Sequence, residues 1–368
     1  MESLVTPDLV DFARNKYEIS GTEFLYRGSS SGGHDFPSAL AEHLNDFLNP
    51  HTPITEAQIC ISASATAMHD TIAWALANSG EAFLTSRPVY GRFELDFFNR
   101  AGVRVEYADT HAEDCFDETV VEKFEDALKS CKARKVNVKA LFIVNPHNPL
   151  GRCYPRSTLT AILDFCQKHR LHLICDEIYA CSVFDSGEPG AVPFTSILSI
   201  DVEKHIDLRL LHVTYGLSKD FGAAGLRVGA IVTRSPPILQ AVDSVSRFQS
   251  ASGPSLAIAS AMLRDRDWCR SFIDGSRKKL AAAYKHATAG LGGIGIKYLP
   301  GSNAGFFIWI DLSPYLSERD RFPEYALATK LEKAGVFLHP KEEHSLEPGW
   351  FRLVYTQDPR TVIEGLKR

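Results

Sequence analysis

The sequence predicts an α/β protein: a large unit built on a mostly parallel sheet, then a smaller C-terminal α/β unit. Three observations carry this expectation. Short apolar runs alternate with amphipathic stretches through the middle of the chain. The residues with chemical potential gather where those runs end. After about residue 240 the texture changes to longer helical segments and a second strand–helix–strand pattern.

Taken in order, "TAMHDTIAWALANSG" reads as a helix opened by Ala65 and Thr66, with Gly80 as its C-cap. "ALFIVN" (140–145) reads as a buried strand ended by "PHNPLG", and "STLTAILDFCQKH" (157–169) has helical periodicity. "LHLICDEIY" (171–179) is the next strand. "RLLHVTYGLS" (209–218) and "RVGAIVT" (227–233) are two more, separated by a loop that carries Lys219. Residues 256–291 read as one or two helices closed by glycines. "AGFFIWIDL" (304–312), a helix around "EYALATKLEKAG" and "WFRLVYT" (350–356) make the small unit. The expected divisions are an N-terminal segment 1–40, a large domain 41–245 and a small domain 246–368.

Composition narrows the function. The 368 residues are 45% hydrophobic with a formal charge of -5 and no long basic block, which disfavours nucleic acid and anionic membranes as partners. No apolar stretch reaches the roughly 18 residues of a membrane span, and the first residues lack the basic start and apolar core of a signal peptide. The eight cysteines show no metal-site spacing, and several lie in apolar runs, so buried thiols in a reducing, cytoplasmic setting are expected. No Gly-x-Gly-x-x-Gly follows a strand and no Gly-x-Ser-x-Gly elbow is present, which disfavours a nicotinamide dehydrogenase and a serine hydrolase.

The strand ends carry the chemistry. Asn145 closes one strand, Asp176 and Tyr179 end the next, Lys219 follows the fourth, and Arg227 comes eight residues later. Singly, each has an ordinary reading as a turn former, a solvated charge or a surface ion pair. Jointly they match the needs of pyridoxal 5′-phosphate (PLP). That cofactor requires a lysine amine for its aldehyde, an anion against its pyridine nitrogen, donors for its phenolic oxygen, and cationic or backbone N–H groups for its phosphate.

The chain resembles the class I/II aminotransferases of PLP fold type I, most closely the 1-aminocyclopropane-1-carboxylate (ACC) synthase-like branch, including its fungal members. The resemblance rests on six collinear blocks: "SASATAMHDTIAWALANSGEAFLTSRPVYGRF", "NPHNPLGRCYPRSTL", "LICDEIYACSVF", "SKDFGAAGLRVG", "SNAGFFIWIDL" and "EPGWFRLVYT". It implies Lys219 as Schiff-base lysine and proton shuttle, and Asp176 against the pyridine nitrogen. Asn145 and Tyr179 would hold the phenolic oxygen, with Asn145 also facing the substrate. Tyr90 would stack on the ring, and Ala65, Thr66, Ser218 and Arg227 would form the phosphate cup. Tyr26 would reach the phosphate of a neighbouring subunit, which implies a homodimer with shared sites. Arg352 would take the α-carboxylate of an amino-acid substrate.

The chain departs from the family pattern in three places. Gly216 stands where many members have a serine, removing one phosphate hydroxyl. "HPKEEHSLEPGW" replaces a glycine- and serine-rich loop and reads as a charged, solvated segment, with His344 as a possible substrate contact. A segment that in the family precedes "ESLVTPDLV" and covers the substrate is nearly missing, which implies a truncation or a more open substrate side. The shared residues serve several reactions. An aminotransferase is the first expectation and an ACC synthase-like or C–S lyase in secondary metabolism the second. A non-catalytic dimer of the same fold is the third, against which Lys219, Asp176, Tyr179, Arg227 and Arg352 all speak.

Overall fold

The computed structural model describes residues 2–26, 29, 35–340 and 343–368. Among the described residues, ten strands form two sheets. The first seven are β1 (Ile59–Ser62), β2 (Ala82–Ser86), β3 (Arg104–Ala108), β4 (Val138–Val144), β5 (His172–Asp176), β6 (Leu211–Gly216) and β7 (Gly229–Thr233). They pair in the order β1-β7-β6-β5-β4-β2-β3. All run parallel except β7, which is antiparallel to both its neighbours. The central strands are apolar on both faces because helices cover both, so they read as continuous hydrophobic runs rather than alternating ones. The second sheet, β8 (Lys297–Tyr298), β9 (Phe307–Asp311) and β10 (Trp350–Val354), is antiparallel with β9 in the middle.

The lone antiparallel strand decides what the sheet can hold. At the edge where β1, β2, β4, β5 and β6 end, β7 begins. Residues after five strands and just before a sixth therefore meet along one line, the usual ligand side of such a sheet. Register fixes the closest of them: Gly229 lies between Ser62 of β1 and Gly216 of β6. A Cβ on Gly229 would sit 2.2 Å from the carbonyl carbon of Ser64. Only glycine lets the start of the next helix, Ala65–Leu76, fold back over the sheet edge there.

Several expectations shift in detail. Lys219 is carried by a four-residue helix, Leu217–Asp220, rather than by an open loop. The helix from Ala65 ends at Leu76 with Ala77 as its extended cap, and Gly80 takes φ +88° in the turn that leads to β2. Residues 256–291 fall in two helices, Gly253–Arg264 and Arg266–Gly293, broken at Asp265, whose carboxylate accepts the Trp268 N–H. The N-terminal helix Glu2–Asn15 packs on the second of these through Phe12 against Trp268 and an Asp8–Lys279 ion pair of 2.7 Å. All eight cysteines are buried and free, and no described helix is long and apolar enough to cross a membrane.

Candidate active site

A cavity of about 560 Å³ opens at that sheet edge, between the large sheet and β9–β10. Ala65, Thr66, Tyr90, Asp176, Tyr179, Ser218, Lys219, Arg227 and Arg352 all line it. Nine predicted residues from four of the six sequence blocks thus share one space.

Its floor comes from β5. Asp176 is 3% exposed, and its Oδ1 accepts hydrogen bonds from the Thr214 hydroxyl at 3.1 Å and the Ile178 N–H at 3.2 Å. Burial pushes its carboxyl above the ordinary range, while nearby His69 and these two donors pull it back without cancelling the rise. Tyr179, three residues on, is buried, and burial raises its phenol while the Arg352 charge opposes this.

The corner where β6 ends and β7 begins is rich in donors. The first turn of Ala65–Leu76 directs backbone N–H groups toward the cavity, where a helix has no acceptors of its own for them. Ser64 caps that helix by accepting the Ala67 N–H at 3.0 Å. Arg227 holds φ +55°, a left-handed backbone uncommon outside glycine, and its Nη1 donates to Ala224 O at 3.1 Å. Such backbone outliers concentrate at functional sites. Gly216 is packed tightly, since a Cβ there would lie 3.0 Å from Val228 O. A serine at this position requires that carbonyl to give way.

The far wall is Arg352 of β10. Its guanidinium lies 5.3 Å from the Tyr90 ring centre and 5.8 Å from that of Phe307. Its Nε is 3.0 Å from Glu343 Oε1, and its Nη1 donates to Asn148 Oδ1 at 2.9 Å. Glu343, 3% exposed, sits in the loop expected to be solvated; it is instead tucked under the arginine.

One expectation is corrected. Asn145 does not line the cavity. Its amide is fully buried, with Nδ2 donating to Thr195 O at 2.9 Å and Oδ1 accepting the Tyr154 N–H at 3.2 Å, so both ends are spent on holding loops together. Asn148, the second asparagine of "NPHNPLG", faces the cavity and donates to the Tyr179 hydroxyl at 3.3 Å. The Asn-Pro step is repeated in "NPHNPLG", and its second copy is the sequence signal for this asparagine. His344 also lies away from the cavity lining, its ring stacked 4.7 Å from Tyr107 and its Nε2 3.8 Å from Glu94. Tyr26 is fully exposed and lines no part of its own chain's cavity. His69, Asp96, Phe306, Phe307, Thr356 and Gln357 join the lining without having been anticipated.

The fold and site define a class of protein. The fold matches an aromatic aminotransferase from Pyrococcus horikoshii OT3 with a TM-score of 0.80 over 99% of this chain and 90% of that one, at 20% identity. It matches Thermus thermophilus aspartate aminotransferase with maleate at 0.80, over 98% and 86%, again at 20% identity. In sequence, the chain is 34% identical over 329 residues to a 1-aminocyclopropane-1-carboxylate synthase of Vigna radiata var. radiata, covering 87% of each. It is 34% identical to another from Nicotiana tabacum, covering 91% of this chain and 68% of that one. The family model "Aminotransferase class I and II" matches residues 10–368. The chain belongs to the class I and II aminotransferase family, whose members are PLP-dependent enzymes acting at the α-carbon of amino acids.

Proposed function

We propose that this protein binds PLP in the cavity at the sheet edge and acts on an α-amino acid whose carboxylate is taken by Arg352, with transamination as the outcome. The observation that carries the reading is the meeting of Lys219, Asp176, Tyr179, Asn148 and Arg227 with Arg352 across one cavity. The residues fit the group chemically. There is an amine, a buried anion for a ring nitrogen, a phenol–amide pair for a ring oxygen, and a cation beside a helix start for a phosphate.

Bound there, PLP supplies an aldehyde that captures amines and an electron-poor ring that stabilises charge at the α-carbon. The protein does the rest. Lys219 holds and moves the proton at the α-carbon. Asp176 keeps an anion against the ring. Asn148 and Tyr179 orient the phenolic oxygen, and Ser218, Arg227 and the Ala65–Thr66 backbone fix the phosphate. Tyr90 offers a face both to the ring and to Arg352. A homodimer in which Tyr26 of each chain completes the other's phosphate site is part of this reading, and its full exposure is compatible with it.

A second outcome is favoured by the similarity, at 34% identity, to ACC synthases. In that case the charge at the α-carbon expels a leaving group further along the side chain. Visible absorption spectra with added PLP, followed through a panel of amino acids and S-adenosylmethionine, test both readings. A band that shifts with particular amino acids and leaves pyridoxamine phosphate supports transamination. A keto acid or cyclised product with the cofactor unchanged supports the second outcome. No band overturns the cofactor assignment.

A further inference from the structure

We infer that His69 is a positioning residue of this site: held by Asp96, its ring keeps Asp176 anionic where the cofactor's pyridine nitrogen would lie. The inference rests on the cofactor reading above and adds a group to it.

His69 lies in the second turn of Ala65–Leu76 with its side chain 4% exposed, and it lines the cavity. Its Nδ1 is 3.2 Å from Asp96 Oδ2, and its Nε2 is 3.6 Å from Asp176 Oδ2. That Nε2 is buried and has no hydrogen-bond partner among the described residues. Phe93, Phe97 and Phe142 fit edge-on around the ring, at 5.4, 5.8 and 5.6 Å between centres, and fix its plane. The ring therefore bridges two carboxylates from different elements, one on the helix Phe93–Phe98 and one at the end of β5. Among the described residues, Asp96 and Asp176 are the charged side chains that act on it.

A histidine that merely fills the core behaves differently. His43, His147 and His212 are buried to the same degree, and burial pulls each down to about 3, leaving neutral rings. Burial pulls on His69 too, but the Asp96 hydrogen bond and the charges of Asp176 and Asp96 outweigh it, so its net displacement is upward. A cationic ring between two carboxylates leaves one net negative charge. Without it, the repulsion of Asp96 and the burial of Asp176 both favour a protonated, neutral Asp176. A neutral acid cannot keep a pyridine nitrogen protonated. The orphaned Nε2 is the point through which His69 acts, and the Asp176 oxygen facing it is the one not engaged by Thr214 and Ile178.

The test has two readouts. In the apo-protein, nitrogen NMR of the imidazole should show His69 still protonated at pH values above 6.5, its ordinary midpoint, and Asp96→Asn should lower its midpoint. In the PLP-loaded protein, His69→Gln keeps a polar group of similar reach without the charge. It should retain the visible band, bind PLP roughly tenfold more weakly, and shift the pH profile of that band. Asp96→Asn should move the profile in the same direction by less, and it guards against a misfolded glutamine variant. A ring already neutral at pH 6, or a wild-type band with an unchanged profile in both variants, overturns the role of His69. A wild-type protein that shows no band overturns the cofactor reading itself, whatever the imidazole does.

Discussion

Asp176 faces the cleft and its neighbour Glu177 faces the interior, and the two buried carboxylates are wired in opposite ways. Glu177 accepts from the Ser196 hydroxyl at 2.7 Å and the Ile197 N–H at 2.8 Å, which tie the loop before Ile200 to the sheet. Asp220, one residue past Lys219, is likewise saturated by the Cys181 N–H, the Ser182 hydroxyl and the Tyr215 hydroxyl at 2.8, 2.6 and 3.0 Å. Asp176 has both its donors on one oxygen and turns the other to His69 across 3.6 Å. Interior charges here are closed by hydrogen bonds and hold the backbone in place, whereas the cleft-facing charge keeps a side open. The difference separates residues whose loss costs stability from those whose loss costs chemistry.

Lys219→Ala should give the largest effect. The variant should lose activity by about 10²–10⁴-fold, the range of a positioned proton-transfer group, and borohydride should no longer fix PLP to it, while its thermal unfolding should match the parent. Covalent fixation in the variant, read by mass spectrometry, would contradict the role of Lys219. Next in size is Arg352→Ala. Removing one partner of a buried charge pair costs about 2–5 kcal/mol, so KM for the amino acid should rise at least thirtyfold with PLP affinity nearly unchanged. Glu343 beside Arg352 adds a way to sharpen this: the variant leaves a buried carboxylate without its 3.0 Å ion pair, so some stability should be lost as well.

The sequence revealed the centre of the fold and site better than its edges. Strands β4 to β7 were legible because they are short apolar runs buried on both faces, and Asp176, Tyr179, Lys219 and Arg227 because each lies within three residues of such a run's end. Strand β3 (RVEYA) was not, since it lies at the sheet's margin and is partly exposed. The choice between Asn145 and Asn148 depends on the path of the loop after β4, which composition does not encode. His69 was hidden for another reason. Nothing near it in sequence is unusual, and its two carboxylates arrive from other elements only when the chain folds.

The two asparagines give a direct comparison of interior and cleft. Asn145→Ala should lower stability by about 1–3 kcal/mol, because it orphans the buried Tyr154 N–H and frees the partly buried Thr195 O, and should leave PLP affinity within about twofold. Asn148→Ala should weaken PLP binding about tenfold and cost less stability than Asn145→Ala, because the groups it frees, the Tyr179 hydroxyl and Arg352 Nη1, belong to residues that line the cavity. Identical behaviour of the two variants would erase the distinction drawn from their hydrogen bonds.

The smallest effect per residue is spread over the interior groups and appears as pH dependence. Burial holds His43, His147 and His212 at about 3 and His172 at about 4. These four stay neutral in the folded chain near pH 5, where unfolded imidazoles with midpoints near 6.5 are protonated. Burial also pushes Glu177 up to about 7 and Asp220 up to about 6, so the folded chain holds two protons there that unfolded carboxylates have largely released. His69, displaced upward, is protonated in both states at this pH and drops out. Four protons gained on unfolding against two lost leaves a net uptake of about two. Stability therefore falls with falling pH, by about 2–3 kcal/mol per unit near pH 5. Denaturant melts between about pH 4.5 and 7 measure the slope directly. A flat profile would mean that the interior histidines charge within the folded state, and the contrast between closed interior groups and the open cleft would fail with it.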